Sequence, residues 1–415
     1  MVRRAGLIAL AGLLAVGGAV LAEDNSGRIY GRITTTDGDV YRGLIRWDKN
    51  ETNWCDILNG TKELSDEDRD RSSRSRRSKR TTRIEVFGIK IGESDGDFSW
   101  SGSASSGIRF GHIKSLEVDG DDEAIIELKS GQTVTLSEGS TDIGSDIREI
   151  IIEDEKQGET ELAWDDIERV DLEPAKTGEA SVFGERLYGT VTTRRGDEYT
   201  GFVCWDIDEV FTNDLLEGEQ KDRDRKVKFD RIASIARYSA SAASVALKSG
   251  EELVLRGSND VDESNRGILV ADPGFGQVQI EWDDFDKLVF SQAPQPLTYA
   301  DFDGGRPLSG TVYTEDGDSY TGTIRWDNDE ESTWEFLDGA YRNCEFDIEF
   351  GLIKEISKQS FRASKVTTWD GRTFVLRGSN DVDEDNKGIF ITTSPKGREV
   401  EVDWDEFSRV EFTRK

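Results

Sequence analysis

Residues Gly310–Asp327 read G-T-V-Y-T-E-D-G-D-S-Y-T-G-T-I-R-W-D. Two alternating runs, Thr311–Thr314 and Ser319–Trp326, flank Asp316-Gly317. That dipeptide favours a tight hairpin turn, so the stretch predicts an antiparallel β-hairpin. It occurs twice more, as G-R-I-T-T-T-D-G-D-V-Y-R-G-L-I-R-W-D at Gly31–Asp48 and as G-T-V-T-T-R-R-G-D-E-Y-T-G-F-V-C-W-D at Gly189–Asp206. Self-similarity at this spacing predicts three tandem repeats.

Each copy has the same sequel. A further strand is expected near Asn53–Leu58, with a turn at Asn59-Gly60 and at the matching Gly218 and Gly339. An anchor follows: I-R-F-G-H-I-K-S-L (Ile108–Leu116), V-K-F-D-R-I-A-S-I (Val227–Ile235) and I-E-F-G-L-I-K-E-I (Ile348–Ile356). It reads as strand, one tight turn and strand, with the Phe and the two later apolar residues inward. A second hairpin turns at Ser130-Gly131, Ser249-Gly250 and Asp370-Gly371. The endings are W-D-D-I-E-R-V-D-L (Trp164–Leu172), W-D-D-F-D-K-L-V-F (Trp282–Phe290) and W-D-E-F-S-R-V-E-F (Trp404–Phe412). They echo the anchor, so each repeat is expected to hold two related modules of about 60 residues. Proline-bearing linkers at Glu173–Gly184 and Ser291–Arg306 divide the chain into repeat one (23–173), repeat two (184–291) and repeat three (305–415).

Repeat one departs by an insertion at about 61–107 that the other repeats lack. It contains the Arg/Ser-rich tract Arg69–Arg83, the strongly basic stretch of an acidic chain. Such composition predicts a solvated, disordered loop, with an anion-binding arm as the functional alternative. Ile84–Ile91 alternates enough to predict an extra strand.

Acidic residues number 85 against 53 basic ones, for a net charge of −32. That balance argues against a nucleic-acid partner, whose phosphates need clustered Lys and Arg. The frequent Gly (42) and scarce Pro (6) fit strands joined by tight turns. Residues 1–22 have the pattern of a secretory signal peptide: Arg3 and Arg4, an apolar run Leu7–Leu21, and Val20-Leu21-Ala22 before Glu23. The expected location is the periplasm or the cell exterior, with no membrane span after cleavage. Three cysteines, Cys55, Cys204 and Cys344, cannot all pair and are expected to be buried thiols.

The pattern Gly31-x-Ile33-x-Thr35-x-Asp37-Gly38-x-x-Tyr41-x-Gly43-x-Ile45, with its two later copies, resembles the first motif of small SH3-like or Sm-like β-barrels. Arg266-Gly267-Ile268 and Lys387-Gly388-Ile389 resemble the second Sm motif, from which Arg148-Glu149-Ile150 departs. The resemblance implies an all-β fold of three tandem repeats, each a pair of small antiparallel barrels. The RNA binding of Sm proteins stands against the acidity and the signal segment here.

Six tryptophans recur at fixed strand positions, each followed by Asp: Trp47, Trp205, Trp326, Trp164, Trp282 and Trp404. They are expected to pack in cores, with the Asp capping the turn. Trp54 and Trp334 are the better candidates for exposed rings that stack on sugars. His112 is the sole histidine and is expected to be an ordinary surface or turn residue. Among polar elements, G-S-N-D-V-D-E-S-N-R-G-I (Gly257–Ile268) and G-S-N-D-V-D-E-D-N-K-G-I (Gly378–Ile389) agree most closely; repeat one has G-S-T-D-I-G-S-D-I-R-E-I (Gly139–Ile150). Asp381, Asp383 and Asp385 alternate as in a calcium loop, without its sixth-position Gly and twelfth-position Glu. Asp260 and Asp262 form the weaker match and repeat one the weakest; an Asx-turn without an ion is the structural alternative. These residues make a weak calcium site the one cofactor expectation, with no catalytic set. The functional expectation is a non-enzymatic binding or structural module of the bacterial envelope with an unknown protein or polysaccharide partner. A carbohydrate-binding protein or carbohydrate-active enzyme is the alternative.

Overall fold

The three opening hairpins form in the expected register. Tyr30–Thr35 pairs with Val40–Trp47, Tyr188–Thr193 with Glu198–Trp205, and Ser309–Thr314 with Ser319–Arg325. Gly38, Gly196 and Gly317 turn them with φ of 87°, 84° and 94°, a region closed to most side chains. The structure is a computed structural model that describes residues 24–63, 85–86, 89–90, 103–137, 140–175, 181–327, 329–393 and 397–414. The segment 1–22 expected to be a signal peptide and the basic tract at 69–83 lie outside the described residues.

Across repeat one's sheet the strands run Gly158–Leu162, Ile150–Asp154, Val40–Trp47, Tyr30–Thr35, Ile167–Leu172, Ile113–Asp119, Glu123–Leu128 and Thr133–Ser137. Ile57–Glu63 and Ser103–Arg109 continue it. The same order of eight strands recurs from Gly276–Ile280 to Glu252–Leu255 in repeat two, and from Arg398–Val402 to Thr373–Leu376 in repeat three. The protein is all-β. Every strand pairing is antiparallel, the sheets are open, and helix among the described residues is confined to three-residue 3-10 turns. One such turn sits in each anchor, and Phe110, Ile113 and Leu116 point inward as expected, as do Phe229, Ile232 and Ile235, and Phe350, Ile353 and Ile356.

Paired glycines explain the opening motif. Gly31 faces Gly43, Gly189 faces Gly201 and Gly310 faces Gly322. A Cβ at Gly43, Gly201 or Gly322 would overlap the carbonyl oxygen of Glu153, Ala271 or Thr392 on the next strand. One at Gly31, Gly189 or Gly310 would overlap that of Asp171, Val289 or Glu411 on the other side. The motif therefore lets neighbouring strands approach closely on both flanks of each hairpin.

Three local expectations are corrected. Asn59-Gly60 is no turn; it lies inside Ile57–Glu63, as Gly218 and Gly339 lie inside Leu215–Glu219 and Phe336–Tyr341. Those glycines make room for Leu136, Leu255 and Leu376, whose Cβ atoms would sit 3.1, 3.1 and 2.9 Å from an added methyl. The extra strand at 84–91 is two short ones, Glu85–Val86 and Ile89–Lys90, paired with each other. The insertion is also narrower than 61–107, because Thr61–Glu63 pairs with Ser103–Ser105.

The sheets do not respect the repeat boundaries. Cys344–Glu349 of repeat three pairs with Gly276–Ile280 of repeat two, and Phe336–Tyr341 follows it into the same sheet. One hydrophobic core accordingly runs through repeats two and three, joined at Phe275, Val278 and Phe346. The core of repeat one takes in Tyr299, Phe302 and Trp334 from beyond repeat two. The segment read as a second linker thus docks on repeat one, and the Tyr299 hydroxyl donates to the Ile113 carbonyl at 2.8 Å. Repeats one and two exchange cations: Arg186 reaches Asp56 at 3.2 Å and Arg46 reaches the equivalent Asp214 at 3.4 Å.

Gly276 has φ 142°, and a Cβ there would overlap the Asp347 carbonyl oxygen in the strand donated by repeat three. Gly276→Val is expected to lower stability by about 1–3 kcal/mol in urea unfolding, since the overlap is with backbone that cannot rotate away. An unchanged midpoint would mean that this junction is not formed in solution.

Candidate metal centre

Each first hairpin ends in W-D-x-x-E: Trp47-Asp48 with Glu51, Trp205-Asp206 with Glu209, and Trp326-Asp327 with Glu330. Backbone bonds between Trp47 and Glu51, 2.8 and 3.0 Å long, curl the chain after the strand. Asp48, Asp206 and Asp327 take positive φ in this curl, at 42°, 52° and 45°. The G-S-x-D loop lands on the same spot. The Trp47 indole Nε1 donates to the Asp142 carbonyl at 2.9 Å, Trp205 to Asp260 at 2.9 Å, and Trp326 to Asp381 at 3.0 Å. Each tryptophan thereby pins the loop beside the hairpin's two carboxylates. One oxygen each from Asp48, Glu51 and Asp142 lie within 4.8 Å of one another, and the same holds for Asp206, Glu209 and Asp260.

The members of the first group are held differently. Asp48, fully buried, accepts from the Arg148 backbone N–H at 2.6 Å, the Arg148 guanidinium at 2.7 Å and the Thr141 hydroxyl at 2.6 Å. Asp142 accepts from the backbone and side-chain N–H groups of Asn59, both at 2.7 Å. The Glu51 Oε2 and Asn59 Oδ1 atoms are buried without a hydrogen-bond partner. Burial, then repulsion from Asp142 and Asp48, pushes Glu51 well above the carboxylate range. Asp142 rises to about 8, mainly by burial and then by Asp48. In repeat two burial leads again, taking Glu209 to about 10 and Asp260 to about 6. Three carboxylates so placed must share protons or a cation.

The loop residues singled out by sequence separate into two roles. Asp260 joins the Asp206–Glu209 group, and its carboxylate also accepts the Glu217 N–H at 2.6 Å. Asp381 accepts the Asp338 N–H at 2.7 Å. Asp262 and Asp383 make Asx-turns, accepting the Ser264 and Asp385 N–H groups at 3.0 Å each, while Asp385 is exposed. The hairpin carboxylates Asp48, Glu51, Asp206 and Glu209 were not foreseen. Their signal was the Trp-Asp-x-x-Glu spacing, present in all three copies. Asp48, Asp206 and Asp327 also do not cap a turn; they bind the N–H groups of Arg148, Arg266 and Lys387 across the loop.

Two aromatic expectations change. Trp54 and Trp334 are 0% and 1% exposed. Their indoles donate to the Ser26 carbonyl at 3.0 Å and the Gln132 side chain at 3.2 Å, so neither presents a ring to solvent. His112 sits in a turn as expected but is buried, its Nδ1 accepting the Gly304 N–H at 3.1 Å. Cys55, Cys204 and Cys344 are buried free thiols as expected, and burial pushes Cys55 and Cys344 up to about 12. No helix among the described residues is long and apolar enough to cross a membrane. Comparison with known protein families, with curated proteins and with solved structures found no match to this chain.

Proposed function

We propose that this protein is an exported, non-enzymatic structural or binding module of the bacterial cell envelope, built from three repeats of SH3-like or Sm-like β modules. The observation that carries the reading is the commitment of the aromatic rings. Trp47, Trp54, Trp164, Trp205, Trp282, Trp326, Trp334 and Trp404 are all buried, which takes these eight rings out of sugar stacking. Further support comes from the strand that repeat three adds to the sheet of repeat two, which joins modules into one body as a scaffold requires. The carbohydrate alternative keeps the exposed rings of Tyr238 and Phe361, 66% and 53% exposed.

A glycan array and a polysaccharide hydrolysis screen on the purified chain test the choice. The scaffold reading expects neither retention nor turnover, and material from the native host beginning at or near Glu23. Specific glycan retention that Tyr238→Ala or Phe361→Ala abolishes would establish the alternative. An intact Met1 in material recovered from the cytoplasm would overturn export.

A further inference from the structure

We propose that Asp48, Glu51 and Asp142, together with the side-chain oxygen of Asn59, form a site for one Ca²⁺ at the seam between repeats one and two. Acidic residues alone would not carry this, since buried carboxylates can share protons. The atoms without partners do. Glu51 is 3% exposed and Asn59 7%, and each leaves an acceptor oxygen unpaired: Oε2 of Glu51 and Oδ1 of Asn59. The Asn59 amide nitrogen is occupied by Asp142, which fixes its oxygen as the free end. Two desolvated acceptors beside two carboxylates are costly unless something positive meets them. A proton on Glu51 supplies one donor; a cation serves both acceptors and both neighbouring carboxylates.

Room, size and charge agree. Glu51, Asn59 and Asp142 line one wall of a cavity of about 20 Å³, and Cys204, Leu269 and Gln277 of repeat two line the other. That volume admits a single water-sized or ion-sized occupant. The carboxylate oxygens lie within 4.8 Å of one another. Ca²⁺, with bonds of about 2.3–2.6 Å and tolerance for irregular geometry, can reach all of them, whereas Mg²⁺ keeps several of its waters, for which a cavity of this size has no room. Arg186 and Asp56, which also line the cavity, neutralise each other, and the three carboxylates against the Arg148 guanidinium leave two negative charges, the complement of one divalent ion. All-oxygen ligands suit a hard cation rather than zinc or copper. With both repeats walling the cavity, the ion is captured as they pack, so its binding energy becomes folding energy.

The ranking by sequence is thereby reversed. Repeat one, with the most degraded loop, has the best-defined site because its ligands come mainly from the hairpin and from Asn59. The triad of repeat two is the same construction, but Glu217 and Leu216 stand where repeat one has Asn59 and Leu58, so the amide oxygen is missing.

The test uses the purified full chain. Wild type is exchanged into buffer with Ca²⁺, with Mg²⁺ or with a chelator, and its thermal midpoint is measured. Retained metal is counted by inductively coupled plasma mass spectrometry after desalting. Ca²⁺ is expected to raise the midpoint by roughly 3 °C over the chelated protein at a hundredfold excess over its dissociation constant. Mg²⁺ is expected to do less. Glu51→Gln keeps the shape and can donate to Asp48 or Asp142, so it folds; it is expected to retain one Ca²⁺ fewer and lose at least half of the shift. Glu51→Asp is expected to restore part of it, and Asp383→Ala to leave it intact. A wild type that retains no Ca²⁺ and melts equally in chelator overturns the proposal, whatever the variants do. So does a Glu51→Gln protein with the full wild-type response, or loss of the response in Asp383→Ala.

Discussion

Truncating Trp326 to alanine is expected to cost about 3–5 kcal/mol, the range for large aromatic rings removed from packed cores. Trp326 is fully buried, edge-on to Trp404 and Phe407 with centroids 6.4 and 5.3 Å away. The truncation also strips the Asp381 carbonyl of its indole donor, leaving a buried acceptor unpaired. Trp326→Phe separates the two contributions, because it keeps much of the packing and loses the bond. It is expected to fall between wild type and alanine in urea unfolding. A loss below about 1 kcal/mol for the alanine variant would mean that the ring neither fills the core nor holds the loop.

Glu349→Ala is expected to be comparably severe. Arg109, His112 and Glu349 are each at least nine-tenths buried where repeats one and three meet. The Arg109 Nε lies 3.2 Å from one Glu349 oxygen, and the His112 Nε2 lies 3.4 Å from the other. Because His112 accepts the Gly304 N–H on Nδ1, its proton belongs on Nε2, facing the carboxylate. Removing Glu349 strands a buried guanidinium, which costs about 3–5 kcal/mol. The double variant Arg109→Met/Glu349→Leu removes both charges and is expected to recover most of the loss. Burial raises the Glu349 pKa, but Arg109 and then His112 overcome it, and the net shift is downward. The pair's contribution is therefore present above the unfolded Glu value of about 4.3 and is lost as pH falls through the lower folded value. Wild type is expected to lose this part of its stability under acid and the double variant to keep its own. Equal acid sensitivity in the two proteins would place the charge pair outside the stability balance.

Turns and core faces were legible because they depend on local chemistry. At the hairpin tips the Asp-Gly and Ser-Gly pairs put their glycines at positive φ, as at Gly38, Gly131, Gly250, Gly317 and Gly371, and the Phe-x-x-Ile-x-x-Leu or Ile spacing of the anchors specifies which side chains turn inward. Gly60, Gly218 and Gly339 misled because glycine has two uses, turning and close approach, and only the neighbouring leucines decide between them. Trp54 and Trp334 misled because their burial depends on distant segments: Tyr299 packs on Trp54 at 4.6 Å, and Gln132 meets the Trp334 indole. The carboxylate groups were half legible. Asp260 and Asp381 stood out through loop similarity, whereas their partners belong to a hairpin more than fifty positions earlier, where an Asp after Trp reads as a cap. An acidic background hides such pairs, because any carboxylate has others near it in sequence.

The strand that repeat three lends to repeat two also governs the order in which a growing chain can finish folding. A polypeptide emerges from its amino end, and early domains ordinarily settle first. Here Gly276–Ile280 has an open edge until Cys344–Glu349 arrives, and repeat one lacks part of its interior until Tyr299, Phe302 and Trp334 have been made. An unpaired edge invites pairing with another chain, so nascent protein is most vulnerable to aggregation during this interval. Long-range pairings of this kind also slow folding. A release of the chain at either repeat boundary would leave fragments with open seams, and maturation becomes a single late event timed by the last repeat.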